Sequence, residues 1–445
     1  MEFNKINLLW RLTNYCLFLT NNIILKLKMN FDKLNIFFST LNSKILFSLI
    51  GLIYIIFESF GEGDFFIYYT AASKVFGNDS IYVMTFGDGF HYLYSLFFAI
   101  CLYPFTFLPF YLCKLLWLSL NAVLLVRVFT ISFSFFENDD QLFKIPTWFY
   151  IIVFLFTFRF IHENFHAAQI TIVILYLCIE SVNLIFNKNK VIIGSLILAI
   201  GINIKLLPIV LIPYLFYRRK FKALLYVFIA CLILWLLPSM ILGHNKNFAL
   251  LNDWWHLINP SNKKNILDVE ERSFHSLTTL YTTLFIENPE DIHALSIKRN
   301  ILSLSIEQLS LILNGTRLVL IGLTLYFLNS LPFKNAKSKQ HQFYELSYIL
   351  CLVPLIFPHQ QHYAFLFLLP AIIVVLYFVF FNVEIQSSKQ KIGIISSLVV
   401  IYLSFNLKVL VGEFNPYYEH FKILTYGSIL LVFLLFYKPI KKSFT

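Results

Sequence analysis

The sequence predicts an all-α polytopic membrane protein, a bundle of about ten to twelve transmembrane helices. Three observations carry that prediction. Of the 445 residues, 58% are hydrophobic and 13% charged, whereas a soluble domain has about 45–50% apolar and about 25% charged residues. The mean hydropathy is +0.73, and the apolar residues gather in continuous runs rather than in the alternating pattern of a membrane β-barrel. The basic residues behind the net charge of +11 lie in short loops between those runs, as the positive-inside rule expects, and form no nucleic-acid-binding patch. Together these exclude a cytosolic enzyme and leave membrane lipids as the surrounding medium.

Taken in order, apolar runs near 43–60, 92–110, 111–132, 147–161, 168–186, 191–216, 222–242, 316–331, 343–357, 363–382, 392–411 and 421–437 are the candidate spans. Residues 1–42 read as a cytoplasmic or interfacial N-terminal segment, and 43–445 as a single polytopic membrane domain. Lys5, Arg11, Lys26, Lys28, Lys33 and Lys44 place the N-terminus inside, and the basic loop Tyr217–Lys222 inside as well. The alternation then puts 61–91, 243–315, 358–363 and 412–420 outside. The stretch Phe65–Phe76 is amphipathic and suits a surface helix, and Asn252-Asp253-Trp254-Trp255-His256 suits an interfacial one, because Trp favours the headgroup level. The run 191–216 lies between two inside loops, so a re-entrant hairpin broken at Asn203–Pro208 restores the parity. Such a break is tolerated only against protein or a water-filled cavity. The parity of 92–146 stays open. The six Cys residues lie mostly in apolar runs without Cys-x-x-Cys spacing and read as buried hydrophobes.

Polar groups at membrane depth are costly, which makes them functional candidates. Asp64, in Gly61-Glu62-Gly63-Asp64, is placed to act as a general base or to cap the helix that follows it. Lys205 lies among apolar residues and calls for an anion such as a lipid phosphate, or snorkels to the interface. Pro358-His359-Gln360-Gln361-His362-Tyr363 offers His359 and His362 for hydrogen bonding to a sugar or phosphate. A metal there lacks a third ligand in sequence. Two further constellations are Asn164-Phe165-His166-Ala167-Ala168-Gln169 and Glu271-Arg272-Ser273-Phe274-His275-Ser276, in which Arg272 suits a bidentate phosphate clamp. Asp139-Asp140 lacks the spacing of a nucleotide-sugar site.

The order of these elements is more specific than any one of them. Asp64 is followed by Tyr68, Ala71-Ala72, Gly77 and Tyr82, then Phe90-His91-Tyr92, Pro104 and Pro109, Ala168-Gln169, Lys205-Leu206-Leu207-Pro208 and the late Pro-and-His turn. This order, over about residues 45–375, resembles the polyprenol-phosphate-mannose-dependent α-mannosyltransferases of the GT-C superfamily. The resemblance implies a GT-C-type bundle with Asp64 as the catalytic residue and Lys205 and Arg272 as donor-phosphate ligands. Tyr68, His91, Gln169, His275, His359 and His362 fall to substrate binding. It implies a polyprenyl-phosphate sugar as donor, a glycan or glycolipid as acceptor, and neither cofactor nor metal. The setting it implies is the bacterial inner membrane with an outward-facing site. Transfer is a single displacement that inverts the anomeric carbon. The chain departs from the family pattern at Tyr92-Leu93-Tyr94, where Tyr-x-Pro is usual, and at Phe274-His275-Ser276, where Asn-Gln-Ser is common. An O-antigen-type polysaccharide polymerase or ligase, and a lipid or sugar transporter, are the competing readings. A transporter is expected to repeat its broken helix, and the 191–216 pattern has no second copy.

Overall fold

The computed structural model describes residues 40–87, 89–137, 144–259, 262–287, 291–328, 333–334, 336–381 and 388–445. The expectations for residues 1–39, for Asp88 and for Asp139-Asp140 lie outside the described residues. Most of those described are helical, and none lies in a strand. Helices α1 (Leu41–Ser59), α2 (Phe65–Lys74), α3 (Leu96–Leu102), α4 (Phe110–Ser134), α5 (Thr147–His166) and α6 (Thr171–Val182) form the first half of the bundle. Then come α7 (Val191–Ile204), α8 (Leu211–Tyr217), α9 (Phe221–Leu236), α10 (His244–Ile258), α11 (Leu277–Phe285) and α12 (Ile306–Leu328). The chain closes with α13 (Lys339–Ile356), α14 (Leu369–Phe381), α15 (Ser388–Val411), α16 (Asn415–His420), α17 (Ile423–Phe436) and α18 (Lys438–Phe444).

Side-chain contacts show which helix ends meet. Lys114, in the first turns of α4, donates from Nζ to the Gly61 carbonyl at 2.9 Å. Phe136, just past the other end of α4, packs on Phe343 and Phe444. α5 runs back from Trp148, against Phe380 and Phe381, to His166, whose Nδ1 is 3.1 Å from Oε2 of Glu58 on α1. α6 leads away again and α7 returns to Lys205. After a 3₁₀ turn, Leu207–Val210, α8 goes back down until Tyr214 stacks on Phe186 with ring centroids 5.7 Å apart. Lys220 Nζ lies 4.7 Å from the centre of the same ring. The run 191–216 is therefore a hairpin that starts and finishes at one end of the bundle, with Lys205 at its tip.

The parity left open in the sequence resolves next to it. Residues 92–110 do not form a span. α3 and the 3₁₀ turn Tyr103–Phe107 lie across the site end beside α2, and the single span there is α4. The long loop is also shorter than 243–315, because α12 begins at Ile306. Among the described residues, five helices are long and apolar enough to cross a membrane: Phe110–Ser134, Phe221–Leu242, Ile306–Thr324, His362–Phe381 and Gln390–Leu407. The pair Gly412–His420 and Ile423–Phe436, bent by 67°, makes a sixth if counted as one span. This is fewer than the ten to twelve expected. Further apolar helices are shorter, among them Ile45–Ser59, Thr171–Asn187 and Val191–Ile204, while α5 and α13 bury Arg159, Asn164, His341 and Glu345 within the bundle.

Local chemistry explains the joints. Ser95, Ser276 and Ser338 cap α3, α11 and α13 by accepting the N–H three residues on. Gly194 lets α7 lie against the end of α6, since a Cβ there would come within 2.7 Å of Ile185 Cγ1. Arg218, in the basic loop, is buried and pairs with Glu345, which also accepts from Tyr214 at 3.0 Å. Its Nη1 donates to Lys334 O at 2.6 Å, closing the end of the bundle opposite Asp64. A buried pair of this kind is strongly destabilising to break, at about 3–5 kcal/mol.

Candidate active site

The loop after α1 is held against the turn between α5 and α6. Gly63 has φ +61°, and a Cβ on it would sit 2.8 Å from the Ala167 carbonyl oxygen. Only glycine meets both conditions without strain. The approach lets the Asp64 N–H donate to Ala167 O at 2.8 Å. On the facing turn Ala168 is buried with φ +51°, its carbonyl accepting from Trp117 Nε1 at 3.0 Å. The Gln169 N–H donates to Asn164 O at 2.9 Å, aiming the fully buried Gln169 side chain at Asp64.

Asp64 precedes α2 but its carboxylate makes no capping hydrogen bond, so the helix-cap reading is not realised. Oδ2 accepts from Gln169 Nε2. Oδ1 accepts no hydrogen bond among the described residues. Burial pushes the carboxyl pKa up to about 6, against the opposing pull of the Gln169 hydrogen bond and the Lys205 charge. The group is thus ionised but unusually basic near neutrality, which is what proton abstraction needs. Glu62 is exposed to solvent.

Around Asp64 the fold gathers Tyr68, whose hydroxyl is 3.1 Å from Gln169 Oε1 and 2.9 Å from the Tyr94 hydroxyl. Lys205 ends α7 in extended backbone and is half-buried. Its ammonium stands 5.4 Å from the centre of the Tyr94 ring and makes no hydrogen bond or ion pair among the described residues. Tyr363 and Glu271 lie within electrostatic reach of Asp64. Arg272 is half-buried beside Glu271, and its backbone carbonyl accepts from Lys422 Nζ at 2.9 Å.

The histidines are placed elsewhere. His91 Nδ1 is 3.2 Å from Met84 O, within its own loop. His359, with φ +58°, turns toward Asp268, 3.1 Å from its Oδ1, and Asn265 Oδ1 lies 2.6 Å from its Nε2. Asp268 also accepts from Ser276 and Thr279 at 2.6 Å each, tying the long loop to the late turn. His275 and His362 meet Glu419 at 2.7 and 3.2 Å. The third ligand missing from the local His-x-x-His pattern is therefore supplied from a distance, and these three side chains are close enough to hold a cation. Arg159 Nη2, however, is 4.0 Å from Glu419 Oε1, and the Arg159 and Lys422 charges both act on His275. A cation would join two buried positive groups around one carboxylate, a poor fit. Burial holds the His275 imidazole neutral, its pKa down to about 4. The cluster serves to fasten the loop carrying Arg272 to the segments 358–363 and 412–422. Arg159 and Glu419 were not picked out from sequence. A charged residue inside the apolar run of α5 was the signal for Arg159, while Glu419 gave none.

Residues 92–330 match the family model for glycosyltransferase family 87, just over half of the chain. The chain belongs to glycosyltransferase family 87. Family 87 is a GT-C-type family, and the chain is a multi-pass membrane glycosyltransferase. This sets it apart from the transporter reading. The matched stretch includes Gln169, Lys205, Arg272 and His275, and it begins after Asp64 and Tyr68. No curated protein and no solved structure matches this family 87 chain.

Proposed function

We propose that this family 87 enzyme moves a hexose, mannose being the first to test, from a polyprenyl-phosphate sugar to an acceptor hydroxyl at the outer face of the membrane. The observation that carries the reading is the pairing of Asp64 with Lys205. One is a basic carboxylate with an open oxygen; the other is a cation in no hydrogen bond or ion-pair contact among the described residues, at the tip of an apolar hairpin. The 14 residues of α7 span about 21 Å, against a hydrocarbon core of about 30 Å. A cation that stops short of the far headgroup plane suits a phosphate carried by a lipid better than a water-borne nucleotide sugar.

In this scheme Asp64 Oδ1 takes the proton of the acceptor hydroxyl as its oxygen attacks the anomeric carbon. The bond from that carbon to the phosphate oxygen breaks on the opposite face, so the configuration inverts. The electron pair leaves on polyprenyl phosphate, whose charge Lys205 and Arg272 offset, the preorganised electrostatic contribution expected of such cations. Gln169 and Tyr68 hold the base rather than the sugar. The substrate-binding roles expected of His91, His275, His359 and His362 are not carried forward, since each is engaged with the protein itself.

The test is to incubate the purified protein in nanodiscs with undecaprenyl-phosphate mannose, glucose and galactose, and separately with nucleotide sugars, over a panel of glycoside acceptors. Release of undecaprenyl phosphate with an inverted product supports the reading. Transfer from nucleotide sugars alone defeats it.

A further inference from the structure

The hydrogen bonds behind Asp64 have a direction that the bonding capacity of each group fixes. An ionised carboxylate only accepts, so Gln169 must turn its N–H₂ side to Asp64 and its carbonyl Oε1 to Tyr68. Oε1 also only accepts, so Tyr68 gives it the single phenolic proton across 3.1 Å. The Tyr68 oxygen is then left to accept from the Tyr94 hydroxyl at 2.9 Å. Tyr68 and Gln169 are fully buried and Tyr94 nearly so, which leaves solvent little chance to substitute for a lost link. Burial pushes both phenols well up, so they keep their protons throughout the working range.

We propose that Tyr68 and Tyr94 are positioning residues for the base: Tyr68 satisfies the Gln169 carbonyl and so steadies the amide with its donor side on Asp64, and Tyr94, by donating to the Tyr68 oxygen, strengthens that hydrogen bond. Without the Tyr68 hydroxyl, Gln169 Oε1 is buried and unpaired, and the amide holds the carboxylate less firmly. Without the Tyr94 hydroxyl, Tyr68 loses the donor that polarises its O–H and gives Gln169 a weaker hydrogen bond. Lys205 lies over the Tyr94 ring, so the cation assigned to the donor phosphate and the support of the base share one side chain. The functional meaning of this chain rests on Asp64 being the base; its effect on Asp64 does not.

The sign follows from the bonding. Losing a donor to the ionised form raises the Asp64 pKa. The other charged or titratable groups facing Asp64 are Lys205 from the hairpin tip, Glu271 from the long loop and Tyr363 from the late turn. Tyr→Phe changes at 68 and 94 alter none of these, and Phe at 94 keeps the ring under Lys205.

The experiment is an infrared pH titration of the full-length protein in nanodiscs. The Asp64 carboxyl band is isolated by subtracting the matching Asp64→Asn spectrum in each background. The wild-type midpoint is expected near about 6. Tyr68→Phe should raise it by about half a unit to one unit, one hydrogen bond's worth, and Tyr94→Phe by less in the same direction. Tyr82→Phe removes a buried hydroxyl that donates to the Tyr94 carbonyl at 3.0 Å but stands outside the chain, and should leave the midpoint in place. Unmoved midpoints in Tyr68→Phe and Tyr94→Phe would overturn the proposal. If Tyr68→Phe does not fold, Tyr94→Phe decides alone. Sugar transfer by Asp64→Asn is measured in parallel. Retained transfer sinks the general-base reading, whereas lost transfer with unmoved midpoints sinks only the chain.

Discussion

Replacing Gly63 by Ala should damage catalysis far more than folding. At φ +61° a non-glycine residue costs about 1–2 kcal/mol. The added Cβ would lie 2.8 Å from Ala167 O and 2.9 Å from its carbonyl carbon, closer than real Cβ atoms come to backbone. The loop must therefore draw back by about half an ångström, loosening the Asp64 N–H bond to Ala167 O and pulling the carboxylate off Gln169. Displacements on the order of 1 Å at reacting groups cost about a hundredfold in rate, so turnover should fall about tenfold to a hundredfold. Gly87→Ala is the control, because Gly87 has φ +52° but nothing within 4 Å of its would-be Cβ. It shares the backbone strain without the clash. The assay is initial-rate sugar transfer with thermal unfolding followed on the same samples. Wild-type turnover in Gly63→Ala would refute the claim that this contact aims Asp64. So would an equal loss in Gly87→Ala.

Three further outcomes follow from the same geometry. Lys205→Gln should raise the donor KM and lower kcat, together by about a hundredfold or more, with acceptor KM unchanged. Competition by free polyprenyl phosphate should weaken in step. The pH dependence has a defined sign: a base must be deprotonated to act, and the Asp64 pKa is raised from its ordinary value to about 6. Activity should therefore be flat above neutrality and fall about tenfold per unit as pH drops below about 6; a rate that rises on acidification contradicts the assignment. Ser296→Cys, in the long loop, should react with an impermeant maleimide only from the outer side, with Cys101 replaced to lower background. Labelling only from the cytoplasm would invert the topology.

The sequence revealed features whose cause is local and missed those whose cause is distant. The helix α2, the helix α10 with Trp254 donating to Leu93 O, and the break at Lys205 all announce themselves within a dozen residues, through amphipathicity, aromatic placement or a Pro after a lone Lys. The partition of 92–132 did not, because two apolar runs of similar length differ only in which end of the bundle they face. The partners of the Pro358–Tyr363 turn were hidden for a related reason. Its two histidines are three residues apart, but the left-handed backbone at His359 sends one to Asp268 and the other to Glu419. Those partners are far away in sequence. The Gln169–Asp64 pairing was legible only as an order of motifs, since 105 residues separate the two.

Asp64→Asn tests the central claim most directly. Asn keeps the shape and most of the hydrogen-bonding surface but cannot take a proton, and general-base catalysis contributes about 10²–10⁴-fold. Because the Asp64 side chain caps nothing, the variant should fold, insert and bind donor like the wild type. Single-turnover transfer from a polyprenyl-phosphate sugar, at saturating donor and pH above 7, should be slower by that factor. Transfer at the wild-type rate would contradict the account.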